Sequence, residues 1–361
     1  MDSHPSEIFP FDFNEISQYL QIHKIGFNYL EGKINEPISS NIQHLTVFFQ
    51  NNGYTAFFTQ NKNSFSPHLI KLNPLIISQV KEQLQIKSLI LSLSLFLLTL
   101  VSTLTIGSLN RGGNLFHNFK DIFLGIPFSF SLLVILSGHE LGHYFVARKN
   151  KVSVSLPYFL PIPHPLIGTM GAFIKIKSII PNRKVLIRIG IAGPLIGFII
   201  TIPITIIGIK LSKITEIPQT ETVFRLGSSL LFFLFTKIIH SSLPSGYDIV
   251  LHPMAFAGWL GMFITAINLL PLSQLDGGHI AYAILGKKHK YLIISLLALL
   301  GFLGIIWPGW FFLILLILVF GLAHPPAQDE ITPINKNDKI LAIIGLIIFA
   351  LAFIPNPFPI K

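Results

Sequence analysis

The sequence predicts an all-α polytopic membrane protein of about seven transmembrane helices, with a small N-terminal α+β domain and a membrane-associated β-hairpin. Three observations carry this. Only 12% of the 361 residues are charged while 51% are hydrophobic, whereas a soluble domain carries about a quarter charged residues. Uncharged stretches recur at close to the roughly 20 residues that a helix needs to cross a hydrocarbon core. The first 80 residues, by contrast, mix polar and apolar positions.

In the N-terminal domain, residues 25–34 (IGFNYLEGKI) and 54–59 (YTAFFT) read as strands, with a helix over 39–50 between them. Asn51-Asn52-Gly53 and the polar run 61–66 are turn signals, and 67–72 can pair after the second. The opening MDSHPSEIF is not a basic start before an apolar core, so no signal peptide is expected. It also lacks the Arg- and Ser-rich pattern of a transit peptide.

The expected spans are 88–110, 122–140 continuing through Val146, 189–209, 249–275 and 340–360. The run 291–328 holds 38 uncharged residues, too many for one helix, and Trp307-Pro308-Gly309 near its middle makes it a hairpin of two. Residues 226–236 are too short to cross and belong at the interface or in a loop. Residues 152–178 contain Pro157, Pro161, Pro163 and Pro165, which forbid a continuous helix. Their partial alternation around Phe173 and Ile176 suits a strand, so a re-entrant β-hairpin is expected. Irregular backbone survives at membrane depth only where protein or water covers it.

Lys and Arg outnumber Asp and Glu by 26 to 16, yet without a run of four basic residues. Nucleic acid is therefore not an expected partner; the lipid bilayer is. Lys81 and Lys87, then Arg148, Lys149 and Lys151, then Lys287, Lys288 and Lys290 fall on one side if the N-terminus is cytoplasmic. The Ile-, Lys-, Asn- and Phe-rich usage favours a bacterial inner membrane. With no cysteine, disulfides, iron–sulfur clusters and thiolate zinc sites are excluded.

The chemistry begins at His139-Glu140-Leu141-Gly142-His143 near the end of the second span. At about 100° per residue, His139, His143 and Glu140 fall near 0°, 40° and 100° around a helix. Two imidazoles on one face can share a zinc ion, and the offset carboxylate is placed to take a proton from an attacking water. Three polar groups in a helix can arise by chance, but inside a span an unpaired carboxylate costs about 2.5 kcal/mol or more. Zinc needs a third protein ligand. The acidic residues that follow Glu140 in the chain are Glu216, Glu221, Asp248, Asp276, Asp329, Glu330 and Asp338. Only Asp276 follows a long apolar helix inside a dense motif, Asn268-Leu-Leu-Pro271-Leu-Ser-Gln-Leu275-Asp276-Gly277-Gly278. Pro271 bends the chain and the glycines permit a tight turn, which can aim Asp276 at a metal.

HExxH with a distant NxxPxxxLDG, matched at every fixed position, resembles the site-2 protease (M50-type) family of intramembrane zinc metalloproteases. Within it the chain is similar to the EGY group, through LEGK, LPYFLP, GTMGAFIKIKS before an AGP helix, and AGWLGMFITAINLLP. The resemblance implies one Zn2+ per chain on His139, His143 and Asp276, with Glu140 as general base and Asn268 near the substrate carbonyl or oxyanion. It also implies a three-helix core that includes 189–209, where the GPLIGF run lacks the Asn that some relatives carry after Gly-Pro. The expected organisation is an N-terminal domain over 1–80, a first span and loop over 81–120, a catalytic core over 121–285 and C-terminal helices over 286–361.

The expected reaction is hydrolysis of peptide bonds within or near transmembrane segments of membrane-protein substrates, as in regulated intramembrane proteolysis. Residues Gly171, Ala172 and Phe173 are candidates to pair with the substrate as an added strand, against the plainer reading of a hairpin packing the core. A membrane zinc or proton transporter, and an inactive client-binding relative, are the alternatives; the first lacks the paired halves common in transporters. Neither the substrate nor the oligomeric state is legible.

Overall fold

A computed structural model describes residues 13–25, 29–61, 64–71, 77–162, 164, 166–216, 225–241, 243–244 and 246–359. The chain divides into two compact units. One takes Met1–Lys87, Ser178–Leu186 and Pro325–Asn335; the other takes Ser88–Lys177, Ile187–His324 and Lys336–Lys361.

The first unit contains β1 (Leu20–Ile25), β2 (Leu30–Ile34), α1 (Ile38–Asn51), β3 (Tyr54–Asn61) and β4 (Ser64–Lys71). The strands form an antiparallel sheet in the order β1-β2-β4-β3. α1 turns Ile42, Leu45 and Phe49 inward at helical spacing, onto Leu30, Ile34, Ala56 and Phe58. It stops at Asn52, where Gly53 takes a φ of 81° that other residues rarely adopt. The single strand expected over 25–34 is two strands paired to each other, with 26–28 outside the described residues. Of the turn and pairing expected over 61–72, β4 pairs with β3 from Asn61↔Ser64 to Tyr54↔Lys71. Residues 62, 63 and 72 lie outside the described residues.

Two remote segments complete this unit. β3 is an edge strand, and its Phe58 donates its N–H to Gln328 O (2.7 Å) and accepts from Glu330 N (3.2 Å). Gln328 and Asp329 donate in turn to the carbonyls of Ile180 and Pro181, both at 2.9 Å. The edge of the sheet is therefore paired rather than open. Asp329 Oδ1 folds the segment by accepting from Ile331 N and Thr332 N, each at 2.9 Å.

The second unit contains α2 (Ile77–Leu109, from Ser88 onward), α3 (Ile126–Lys149), β5 (Tyr158–Pro161) and β6 (Thr169–Phe173). Then follow α4 (Arg183–Lys210), β7 (Lys213–Glu216), α5 (Leu230–Ile239), β8 (Tyr247–Val250) and α6 (Pro253–Asn268). α7 (Asp276–Leu285), α8 (His289–Ile306), α9 (Gly309–Phe320) and α10 (Lys336–Ala352) complete it.

Among the described residues, four stretches are long and apolar enough to cross a membrane: Ser88–Leu109, Phe119–Lys149, Arg183–Lys210 and Asp276–Ile306. The other three expected spans fall on α6, α9 and α10, helices of 16, 12 and 17 residues. The apolar run 249–275 shows why. Its first residues belong to β8, and after Asn268 the chain turns through Pro271 and Ser273, the latter at φ 46°, into α7. Hydropathy cannot register a turn made of Leu, Pro and Ser.

The core of this unit lies where α3 meets α4 and α6. Phe128, Leu132, Ile135, Trp259 and Met262 are buried there. Small residues bring the backbones together: a Cβ on Gly142 would stand 2.6 Å from Ala192 O, and one on Gly261 would stand 3.0 Å from Ile135.

The hairpin expected within 152–178 is β5–β6, paired Tyr158↔Phe173, Phe159↔Ala172 and Pro161↔Thr169; Pro163 and Pro165 lie outside the described residues. α2 supplies it with hydroxyls. Ser88 Oγ bonds Tyr158 Oη (2.6 Å), Ser92 Oγ donates to Pro157 O, and Ser102 Oγ donates to Gly168 O (2.7 Å). The hydroxyls of Ser92 and Ser102 thereby add donor partners for the carbonyls of this irregular segment.

Candidate active site

α3 carries His139, Glu140 and His143, all buried. α3 continues unbroken through the motif, so the i, i+4 histidines share a face, as 3.6 residues per turn requires. Asp276 is the first residue of α7, delivered by the turn that follows α6. That turn needs its glycines for space rather than for φ. A Cβ on Gly277 would overlap Leu269 O, and one on Gly278 would overlap Ser273 O. The turn is pinned from outside by His289 Nε2, which donates to Pro271 O (3.0 Å), and by Ser273 Oγ, which donates to Gly321 O.

The three expected ligands converge. His139 Nε2 and His143 Nε2 are 3.1 Å apart, Asp276 Oδ2 is 3.2 Å from the first and Oδ1 is 3.2 Å from the second. Ligands at 2.0–2.1 Å around a tetrahedral zinc ion stand roughly 3.3 Å from one another. The proton inventory points the same way. His143 Nδ1 lies 2.7 Å from Ile189 O, a pure acceptor, so Nδ1 carries a proton, and in the neutral ring Nε2 would present the lone pair. That lone pair faces a second imidazole nitrogen and a carboxylate. Acceptors converging in a buried place fit a shared cation, and these residues could hold one metal ion.

Glu140 does not join this triangle. The backbone N–H of Ile174, the residue after β6, lies close to its carboxylate. Asn268, the last residue of α6, places Nδ2 3.4 Å from His139 Nε2, at the rim of the same site. Gly171, Ala172 and Phe173 lie on β6, whose end touches Glu140 through Ile174. The N–H of Gly171 is already taken by Thr169 Oγ1 at 3.0 Å, so that group is not free for a new strand.

Sequence reasoning missed the part played by α4. Gly193 faces the His143 ring, and a Cβ there would overlap Nε2, Cδ2 and Cε1. A Cβ on Gly197 would stand 3.1 Å from His139 Cβ, and one on Gly190 would stand 3.0 Å from Asp276 O. Three glycines one helical turn apart thus cut a channel in α4 for the two rings and the turn. The signal was visible as Gly190-x-x-Gly193-x-x-x-Gly197, and reads otherwise as ordinary close helix packing.

Residues 127–303 match Peptidase family M50. The chain carries an M50 peptidase domain. It is 27% identical, over 90% of its length, to the "probable zinc metalloprotease EGY1, chloroplastic" of Arabidopsis thaliana. It is 30% identical over 67% of its length to the Arabidopsis protein of the same description named EGY2, and 31% identical over 68% to EGY2 of Oryza sativa subsp. indica. The chain spans 65%, 44% and 46% of those relatives' own lengths. A site-2 protease from Methanocaldococcus jannaschii is 22% identical, with 71% of this chain and 85% of that one covered at a TM-score of 0.31. The M50 match includes α3, α4, α6 and α7, and hence every group described above as converging.

Proposed function

We propose that this chain is an intramembrane zinc metalloendopeptidase that cuts peptide bonds within or near transmembrane segments of membrane-protein substrates, as in regulated intramembrane proteolysis. The observation that carries the reading is the meeting of two α3 imidazoles with a carboxylate 137 residues away, at 3.1–3.2 Å, in a span apolar enough to cross a bilayer. The relatives named zinc metalloproteases support zinc, one ion per chain, on His139, His143 and Asp276.

A zinc ion held there would supply Lewis-acid polarisation of a carbonyl and of water. Glu140 takes a proton from the attacking water and returns it to the leaving amine. The nearby Ile174 N–H would help to orient the Glu140 carboxylate. Asn268 Nδ2 donates to the oxyanion. The substrate lies unwound along β6, using the backbone of Ala172 and Phe173, since helical carbonyls are engaged and shielded.

The finer organisation proposed is a seven-pass chain in which the N-terminal domain over 1–80 precedes a span over 81–120, a core over 121–285 and C-terminal helices over 286–361. The N-terminus is cytoplasmic, on the distribution of Lys and Arg. The membrane proposed from residue usage is a bacterial inner membrane, whereas the plant relatives are named chloroplastic; fractionation of the native cells decides between them.

The deciding experiment is Glu140→Gln in the full chain, reconstituted with a single-span test substrate. Cleavage is lost while zinc stays at one per chain. Cleavage retained in that variant overturns the mechanism, and zinc-driven flux without cleavage replaces the protease by a transporter.

A further inference from the structure

A cavity of about 690 Å³ lies away from the metal donors, at the other end of α3 and α6. Phe128, near the start of α3, and Phe256, near the start of α6, stack at 5.6 Å between ring centroids and form part of its wall. Its rim carries Glu216 and Asp248, from the paired strands β7 and β8, and Arg225. Leu166, at the tip of the β5–β6 hairpin, also lines it. The hairpin therefore has one end at Glu140, through Ile174, and the other at this cavity.

We infer that the cavity is a remote subsite for the peptide substrate, taking an apolar side chain against the two phenylalanines and a following Lys or Arg at the carboxylate rim. This rests on the protease reading above. Continuity argues for a peptide: a chain laid along β6 from Glu140 toward the hairpin tip arrives at Leu166. The walls are aromatic, and the rim holds two carboxylates against one guanidinium, which selects an apolar residue flanked by a cation. The distance follows from the helices. Phe128 precedes His139 by 11 residues and Phe256 precedes Asn268 by 12, which at 1.5 Å per residue is about 17 Å. An extended peptide covers that in about five residues. Recognition thus sits about five residues from the bond that is cut.

The test uses the full chain in nanodiscs and a set of single-span peptides in which one Lys is walked along both sides of the cleavage site. KM is expected to be lowest with the Lys about five residues away on one side only, preceded by a Leu or Phe. Glu216→Gln with Asp248→Asn should raise KM for that peptide by about two- to fivefold, the range open to exposed ion pairs. kcat should be unchanged, and peptides lacking the Lys should be unaffected. Asp248→Lys should shift the preference to a peptide with Glu at that position. A flat Lys scan, or equal KM changes for every peptide, overturns the subsite while cleavage itself stands. If the intact chain cleaves none of the peptides at saturating zinc, the protease reading fails with it. Lipid rather than peptide protecting a cysteine placed at position 248 from alkylation also overturns the subsite.

Discussion

Replacing Gly193 by Ala adds one methyl group to α4 directly against the His143 ring. The three nearest atoms to that methyl are Nε2, Cδ2 and Cε1, all nearer than the 3.0 Å below which real side-chain carbons are essentially never found. To regain ordinary van der Waals separation the ring must retreat by about 1 Å or more. Retreat is opposed because Nδ1 is tied at 2.7 Å to Ile189 O, on the same helix α4. The variant must give up either the Nδ1 bond or the position of Nε2. A ligand displaced by about half its 2.0–2.1 Å bond to zinc cannot coordinate, so metal affinity should fall by at least the roughly 100-fold that loss of a supporting contact already costs. Overpacking costs a further ~1–3 kcal/mol of stability. The assay is zinc content by atomic emission after dialysis at fixed free zinc, with melting followed in parallel. Gly301→Ala is the control, since a Cβ there meets nothing within 4 Å. It should bind zinc as before and melt slightly higher, by helix propensity. One zinc per chain and full cleavage in Gly193→Ala would show that His143 does not occupy the place assigned to it.

Asp276→Asn keeps the shape of the side chain and removes its charge; zinc content at micromolar free metal should drop sharply, and undiminished content would remove Asp276 from the ligand set. His289→Leu deletes the donor to Pro271 O. It should cost about 1–2 kcal/mol in melting and weaken zinc binding about tenfold; unchanged affinity would show that the turn holds Asp276 without this bond. Asn268→Ala should lower kcat by about 10²–10³ with zinc retained, and a normal kcat excludes Asn268 from the oxyanion role. Stripping the metal with a chelator should abolish cleavage reversibly. At free zinc about 100 times the Kd it should forfeit about 3 kcal/mol of stability; a stripped protein of equal stability would mean that the ion is not bound in the fold.

That His139, His143 and Asp276 lie together was legible because polar groups inside an apolar span are costly and call for a partner, and because Asp276 sits in a dense motif after a long apolar helix. His139, His143 and Asp276 had each other. The same logic fails for groups that carry no cost. Gly190, Gly193 and Gly197 make room for the two rings and the Asp276 turn, yet an apolar helix with glycine is unremarkable in a membrane. Backbone partners are invisible by nature: no residue type announces that the Ile189 carbonyl or the Ile174 N–H will reach across to a side chain. α1 and β3 were readable from local period and turn residues, whereas the pairing of Phe58 with Gln328 and Glu330 spans some 270 positions and has no local trace. Hydropathy marked the apolar run 249–275 and could not see that Pro271 and Ser273 fold its end back into α7.

The serines of α2 give the β5–β6 hairpin a fixed orientation. Pro157 and Gly168 have their carbonyls occupied by Ser92 and Ser102, and Tyr158 is tethered by Ser88. A ribbon fastened at both ends to a neighbouring rod cannot swing freely about its long axis. Any newcomer that joins it must approach from the flank the rod leaves bare, and to that newcomer the ribbon offers a ruler of constant length.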